Sequence, residues 1–170
     1  HIVRAKGLDR AREYVGDVVM PTPMAVLNMT ELLAKGAGQE AGLGDTVVVD
    51  IGGATTDVHS ACWGEPVAMK IPMVGLQESF AKRTVEGDLG LRVSAKSLLE
   101  VAQRNSLPRD IVAAINTNQA WMRAEYLVSH TDTLPHARAE MELDVAMARA
   151  AAYISMERHA GVVETVKTSS

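Results

Sequence analysis

Asp50, Gly52, Gly53, Ala54, Thr55, Thr56 and Asp57 crowd into one short run, VVVDIGGATTDV, spanning Val47–Val58. The run offers a carboxylate, backbone N–H groups at a glycine turn, two hydroxyls and a second carboxylate. That inventory suits a phosphate and its metal: amides and hydroxyls take the phosphate oxygens, and a carboxylate holds Mg²⁺, usually through water. At Gly52 and Gly53 the missing Cβ lets the backbone bend tightly and come close to a ligand. The plainer reading is that a glycine pair between two strands is only a hairpin turn. Asp50 weighs against it, because it ends an otherwise apolar strand, where an unengaged carboxylate is destabilising.

The elements that must position these residues follow from periodicity. Val47–Ile51 has the composition of a buried strand, and Thr55–Ala61 reads as an antiparallel return, which puts the glycines at a hairpin tip. Gly64–Glu65–Pro66 is a turn, and Val67–Ile71 is expected to be a third strand that Pro72 ends or marks as an edge. Upstream, Lys6–Val15 reads as a short helix and Val18–Met20 as a short strand. Met20–Gly36 is a clearer helix, with Thr22 expected as N-cap, Pro23 at the first helical position and Gly36 just past the end. Gly36–Asp45 reads as a glycine-rich loop.

From Met73 onward strand signals give way to helices. By composition Gly75–Leu91 reads as a solvated helix running into a glycine turn. Ser94–Gln103, Pro108–Asn116 and Ala120–Val128 are expected helices. A long one runs from about Leu134 to His159 and stops at Gly161. On it Met141, Val145, Ala148 and Ala152 form one apolar row, widened by Leu143, Met147, Ala150 and Ile154. The alanines permit close packing, so this stripe reads as core. Val162–Lys167 is expected to begin another strand.

With 170 residues and 47% hydrophobic content the chain can bury a real core. Its net charge of −4, with no block of like charge, argues against nucleic acid and against an anionic membrane surface. A lone cysteine, Cys62, rules out an internal disulfide and reads as a buried, inert thiol, for which a reducing cytoplasm is the expected compartment. No apolar run has the length of a membrane span. The five histidines show no helical zinc spacing, and His59 is expected to face solvent from its strand. Neither a nucleophile elbow nor a Walker pattern occurs. The chain opens on His1 in mid-pattern, as a segment of a longer protein would.

The D-[IL]-G-G-x-T-x-D arrangement resembles the second phosphate-binding motif of the actin, heat-shock chaperone and sugar kinase superfamily, whose hairpin clasps the outer phosphates of ATP. Together with RTVEGDLG (Arg83–Gly90), DIGGATTDVHS resembles the MutL-type accessory protein of adenosylcobalamin-dependent glutamate mutase, and Arg158–Gly161 is similar to the end of a helix in that family. The resemblance runs from Met20 to about Gly161. It implies an α/β fold: a partial actin-like (ribonuclease H-like) ATPase lobe, with a three-stranded antiparallel meander, flanking helices and a helical inserted subdomain. Residues 1–72 would be the lobe fragment with its connecting helix and hairpin, and residues 73–170 the mostly helical insertion.

The implied function is that of an ATP-dependent reactivating chaperone, which opens a cobalamin-dependent mutase so that damaged cobalamin leaves. ATP and Mg²⁺ are the implied cofactors and the mutase the implied partner. No cobalamin signature is present, so the mutase would carry that coenzyme. Asp50 would hold Mg²⁺ through water and orient the attacking water. Gly52, Gly53 and Ala54 would give backbone donors, and Thr55 and Thr56 hydroxyl contacts. Asp57, on the opposite face from Thr56, reads as structural first. The superfamily's first phosphate motif and its adenosine motif are missing, so the segment alone is expected to be inactive and to bind ATP weakly. Two rivals remain: a hydantoinase- or oxoprolinase-like ATP-dependent enzyme, against which RTVEGDLG argues, and a non-catalytic actin-like nucleotide-binding scaffold.

Overall fold

A computed structural model describes residues 20–63 and 78–161. Lys6–Val15, Val67–Ile71 and Val162–Lys167 lie outside the described residues, as does Val18–Met20 apart from its last residue.

The first helix, α1, is Thr22–Lys35. Its N-cap is Pro21, one residue before the expected Thr22; the Pro21 carbonyl accepts from the amides of Met24 and Ala25 at 3.0 and 3.1 Å. Pro23 sits in the first turn, where its missing N–H would have no intrahelical acceptor. Gly36 ends the helix at φ 85°, a region that side chains with a Cβ rarely enter. The loop that follows holds a small antiparallel ladder, β1 (Gly36–Ala37) on β2 (Glu40–Ala41).

Three strands, β3 (Thr46–Ile51), β4 (Thr56–Ala61) and β5 (Ala81–Glu86), make one antiparallel sheet in that order. The expected hairpin is therefore present. Among the described residues the sheet's third strand comes from within Gly75–Leu91, the stretch that composition marked as a solvated helix. Its charges are engaged instead of solvated: Arg83 pairs with Asp57 of β4, and Glu86 with Arg158. Burial differs as well. Central β4 is buried along its whole length, polar residues included, whereas β3 is the sheet's edge among the described residues and Val47 is 44% exposed. His59, expected to face solvent, is fully buried on β4, and Cys62 is half-buried.

The chain divides into two compact units whose boundaries cross these strands. Of the described residues, one unit contains Val49–Val58 and residues 83–161; the other contains residues 20–48, 59–63 and 78–82. In the second unit, Lys35 lies over the Phe80 ring, which also meets Trp63.

The first unit carries the helical core. Its helices are α2 (Ala95–Arg104), α3 (Arg109–Ile115), α4 (Asn118–Ser129) and α5 (Arg138–Ala160). Thr117 caps α4 by accepting from the Ala120 amide at 3.1 Å. Helix α5 begins later than expected, because the Glu140 carboxylate accepts from the His136 and Ala137 amides and so fixes the start there. Those amides, His136 first, hold the Glu140 carboxyl below its ordinary range. Gly161, at φ 81°, stops the helix as expected.

Helix α2 packs on α4 and α5, and α3 on α5. Leu98, Leu99, Ala124, Leu127, Met147, Ala150, Ala151 and Ile154 lie at the centre. The buried face of α5 is thus the Met147–Ala150–Ile154 row. The other expected row turns outward at its start, with Met141 53% and Val145 52% exposed. Ala150 has no exposed surface, so a larger side chain there has nowhere to go. Ala150→Leu should destabilise the protein by about 1–3 kcal/mol, read as a lower midpoint in guanidinium unfolding with an unchanged slope.

Candidate functional site

The site is the hairpin tip between β3 and β4, and every residue that shapes it lies in one compact unit. The turn closes where the Gly52 amide donates to the Thr55 carbonyl at 2.8 Å. A Cβ on Gly52 would stand 3.0 Å from that oxygen, which explains the glycine.

The chain leaving β5 folds back onto this tip. The Leu91 amide donates to the Gly52 carbonyl at 3.0 Å, and the Arg92 amide to the Gly53 carbonyl at 2.8 Å. Ser94 Oγ donates to the Ala54 carbonyl at 2.7 Å and lies 3.2 Å from the Gly87 carbonyl. Three successive carbonyls of the tip thus face the 91–94 segment. Among the described residues no peptide bond is cis, and a planar trans peptide points its N–H opposite to its C=O. The amides of Gly53, Ala54 and Thr55 therefore point away from the segment that binds the carbonyls of the same peptide planes, those of Gly52, Gly53 and Ala54. Successive N–H groups aimed outward from a turn form a concavity suited to an anion.

Close approach makes this possible. A Cβ on Gly90 would overlap the Ala54 carbonyl carbon and lie 2.5 Å from the Gly53 oxygen. Beneath it, Leu89 is fully buried in the helical core, where Ile51 and Leu91 also pack. Six of the eight residues of RTVEGDLG thereby gain a task. Arg83 engages Asp57, and Thr84 Oγ1 lies 2.8 Å from His159 Nδ1. Glu86 and Asp88 both bind Arg158 near the end of α5. Leu89 fills the core, and Gly90 admits the tip.

Asp50 is exposed at the end of β3, so its carboxylate stays solvated and needs no partner to avoid a desolvation penalty. Thr56 is fully buried, and its hydroxyl donates to the Leu89 carbonyl at 2.6 Å. Thr55 is half-buried; its hydroxyl lies 3.3 Å from Asp57 Oδ2, while Arg83 Nε donates to Oδ1 at 2.8 Å. The Gly52 amide is committed within the turn. Sequence reasoning missed Arg83, whose part depends on the pairing of β4 with β5, and Leu91, Arg92 and Ser94, whose parts depend on the fold-back after β5. The second glycine of GDLG, Gly90, was the one available signal for that fold-back.

Behind the tip, Arg92 extends the anchorage. Its Cβ and Cγ lie 3.4 Å from where a Gly53 Cβ would be, and its guanidinium reaches Asp144 on α5 at 3.3 Å. Asp144 also accepts from the buried Arg123 of α4 at 2.9 Å. This pairing holds Arg123 more firmly in its charged form than usual. Among the described residues no group of three or more His, Cys, Asp or Glu is placed to hold a metal ion. A cation here would take one carboxylate, with water and ligand oxygens completing its shell, as Mg²⁺ commonly does.

The family model described as MutL protein matches residues 1–170. Protein MutL of Clostridium tetanomorphum is 46% identical over 167 residues, which cover 98% of this chain and 36% of that protein. The chain thus spans about a third of the length of the curated relative it matches. No solved structure matches it.

Gly90→Ala tests the fold-back. The added methyl must push the tip away from the 91–94 segment, since the atoms it meets are backbone. A loss of about 1–3 kcal/mol is expected, together with faster hydrogen exchange at the Leu91 and Arg92 amides. Unchanged exchange there would show that these bonds survive the added methyl.

Proposed function

The chain belongs to the MutL protein family, and on that premise we propose that the Asp50–Thr56 hairpin binds the outer phosphates of ATP in the full-length protein. The observation that carries this reading is the outward set of Gly53, Ala54 and Thr55 amides, created when the carbonyls of the same peptide planes, those of Gly52, Gly53 and Ala54, are tied to Leu91, Arg92 and Ser94. An anion meeting several such N–H groups gains charge-assisted hydrogen bonds from donors that are already oriented. Gly52 contributes the tight turn. Thr55 supplies a hydroxyl beside the amides, and Thr56 pins the start of β4 through Leu89.

Asp50 holds Mg²⁺ through water in this reading and orients the water that attacks the outer phosphate. Its exposure fits a role that needs a hydrated, negatively charged carboxylate. Bound Mg²⁺ neutralises charge on the phosphates, and phosphoryl transfer depends chiefly on such neutralisation and on positioning. The remaining contacts to the nucleotide, including those of a first phosphate motif and an adenosine motif, come from outside these 170 residues.

The whole protein is, in this proposal, an ATP-dependent reactivating chaperone of an adenosylcobalamin-dependent glutamate mutase, related in fold to the actin-like ATPases. Contacts of the outer phosphate at the hairpin favour a closed arrangement of two lobes, and hydrolysis releases it. The antiparallel hairpin with a helix before it and a helical subdomain after it supports that kinship. No described helix is long and apolar enough to cross a membrane.

Asp50→Asn in the full-length protein keeps the side chain's shape and the backbone donors while removing its charge. Losing a well-placed charged group costs roughly 2–4 kcal/mol of transition-state stabilisation, about a hundredfold or more in rate. Steady-state phosphate release should fall by that order with folding retained, and mutase reactivation should fall in step. An unchanged rate would remove Asp50 from the mechanism.

A further inference from the structure

The run Val47–Ala61 contains no lysine or arginine, yet it carries Asp57 beside the tip. Asp57 is two residues from Thr55, and its Oδ2 lies 3.3 Å from the Thr55 hydroxyl. A carboxylate so close to a polyphosphate site repels the ligand unless its charge is balanced. The balance is at hand on the neighbouring strand. Arg83 of β5 places Nε 2.8 Å and a terminal nitrogen 2.5 Å from Asp57 Oδ1, leaving Oδ2 to Thr55. The pair is partly shielded, with the Asp57 side chain 12% and the Arg83 side chain 33% exposed. Screening by water and salt is therefore incomplete. Arg92, the other cation against the tip, has its guanidinium engaged by Asp144 and the Leu91 carbonyl.

We propose that Arg83 is a positioning residue of the phosphate site: it neutralises Asp57, so that Asp57 steadies the Thr55 hydroxyl without repelling the anion that the tip receives. This rests on the reading of the hairpin as a phosphate site. Arg83 acts through Asp57 and does not touch the phosphate, which distinguishes it from a direct ligand. Substitution of Arg83 should therefore weaken nucleotide binding only while Asp57 keeps its charge.

The test is ATP affinity by calorimetry on full-length wild type, R83Q, R83K and the D57N/R83Q double variant, with Mg²⁺ present, at low salt and at about 0.5 M salt. R83Q should bind ATP about tenfold more weakly at low salt, with a smaller deficit at high salt. R83K should stay near wild type. D57N/R83Q should recover to within about threefold of wild type, because the asparagine amide keeps an acceptor for Thr55 without the charge. In hydrolysis R83Q should raise KM and leave kcat at saturating ATP within about twofold. Unchanged affinity in R83Q overturns the proposal. So does a double variant as weak as R83Q, which would mean that the guanidinium binds the phosphate itself. Should R83Q fail to fold, the double variant is read against wild type instead: affinity within about threefold is the expected result, and a roughly tenfold or greater loss overturns the proposal. Wild type that binds no ATP would instead sink the phosphate reading, and this inference with it.

Discussion

Three hydrogen bonds from the 91–94 segment to the carbonyls of Gly52, Gly53 and Ala54 fix what the hairpin tip can be. In an ordinary two-strand hairpin, loop length and turn type alone set the turn. Here each peptide plane is held by its carbonyl end, and planarity then decides where the N–H must point. The anchoring segment is itself held from two sides. Leu89 and Leu91 pack into the helical core, and Arg92 reaches the buried Asp144–Arg123 pair across α5 and α4. A buried pair of this kind adds little net stability, but removing one partner leaves an uncompensated charge. The tip is thus attached to the most solid part of its unit, as a pre-organised binding site requires.

How much of this was legible in the sequence divides by the range of the interaction. The hairpin, the glycine turn, the four helices after Val93 and the stops at Gly36 and Gly161 depend on neighbours in sequence, and their signals were readable. The strand Ala81–Glu86 was not, because its charges looked solvated. They are instead met by Asp57, 26 residues upstream, and by Arg158, 72 residues downstream. The exposed face of α5 misled in the same manner. Met141 and Val145 are as apolar as Met147 and Ile154, and only packing against α2 and α3 decides which row is buried.

The candidate site shows the same division. Asp50 and the Gly52–Thr56 run stood out by type and spacing, but the direction of their groups did not. The Gly52 amide closes the turn and the Thr56 hydroxyl meets Leu89, whereas the Thr55 amide, beyond the expected donors, faces outward. RTVEGDLG was recognisable as a motif without an evident task. The structure shows it packed under the candidate site, with Gly90 as the point of closest approach.

The central claim is that the Gly53, Ala54 and Thr55 amides receive the outer phosphates of ATP. Backbone amide chemical shifts in the full-length protein, followed while ATP·Mg²⁺ and then AMP are titrated in, test it most directly. ATP should move these three amides further than those of α2–α5, and AMP, which lacks the outer phosphates, should leave them in place. Nucleotide binding with these three amides unmoved, or moved equally by AMP, would contradict the account.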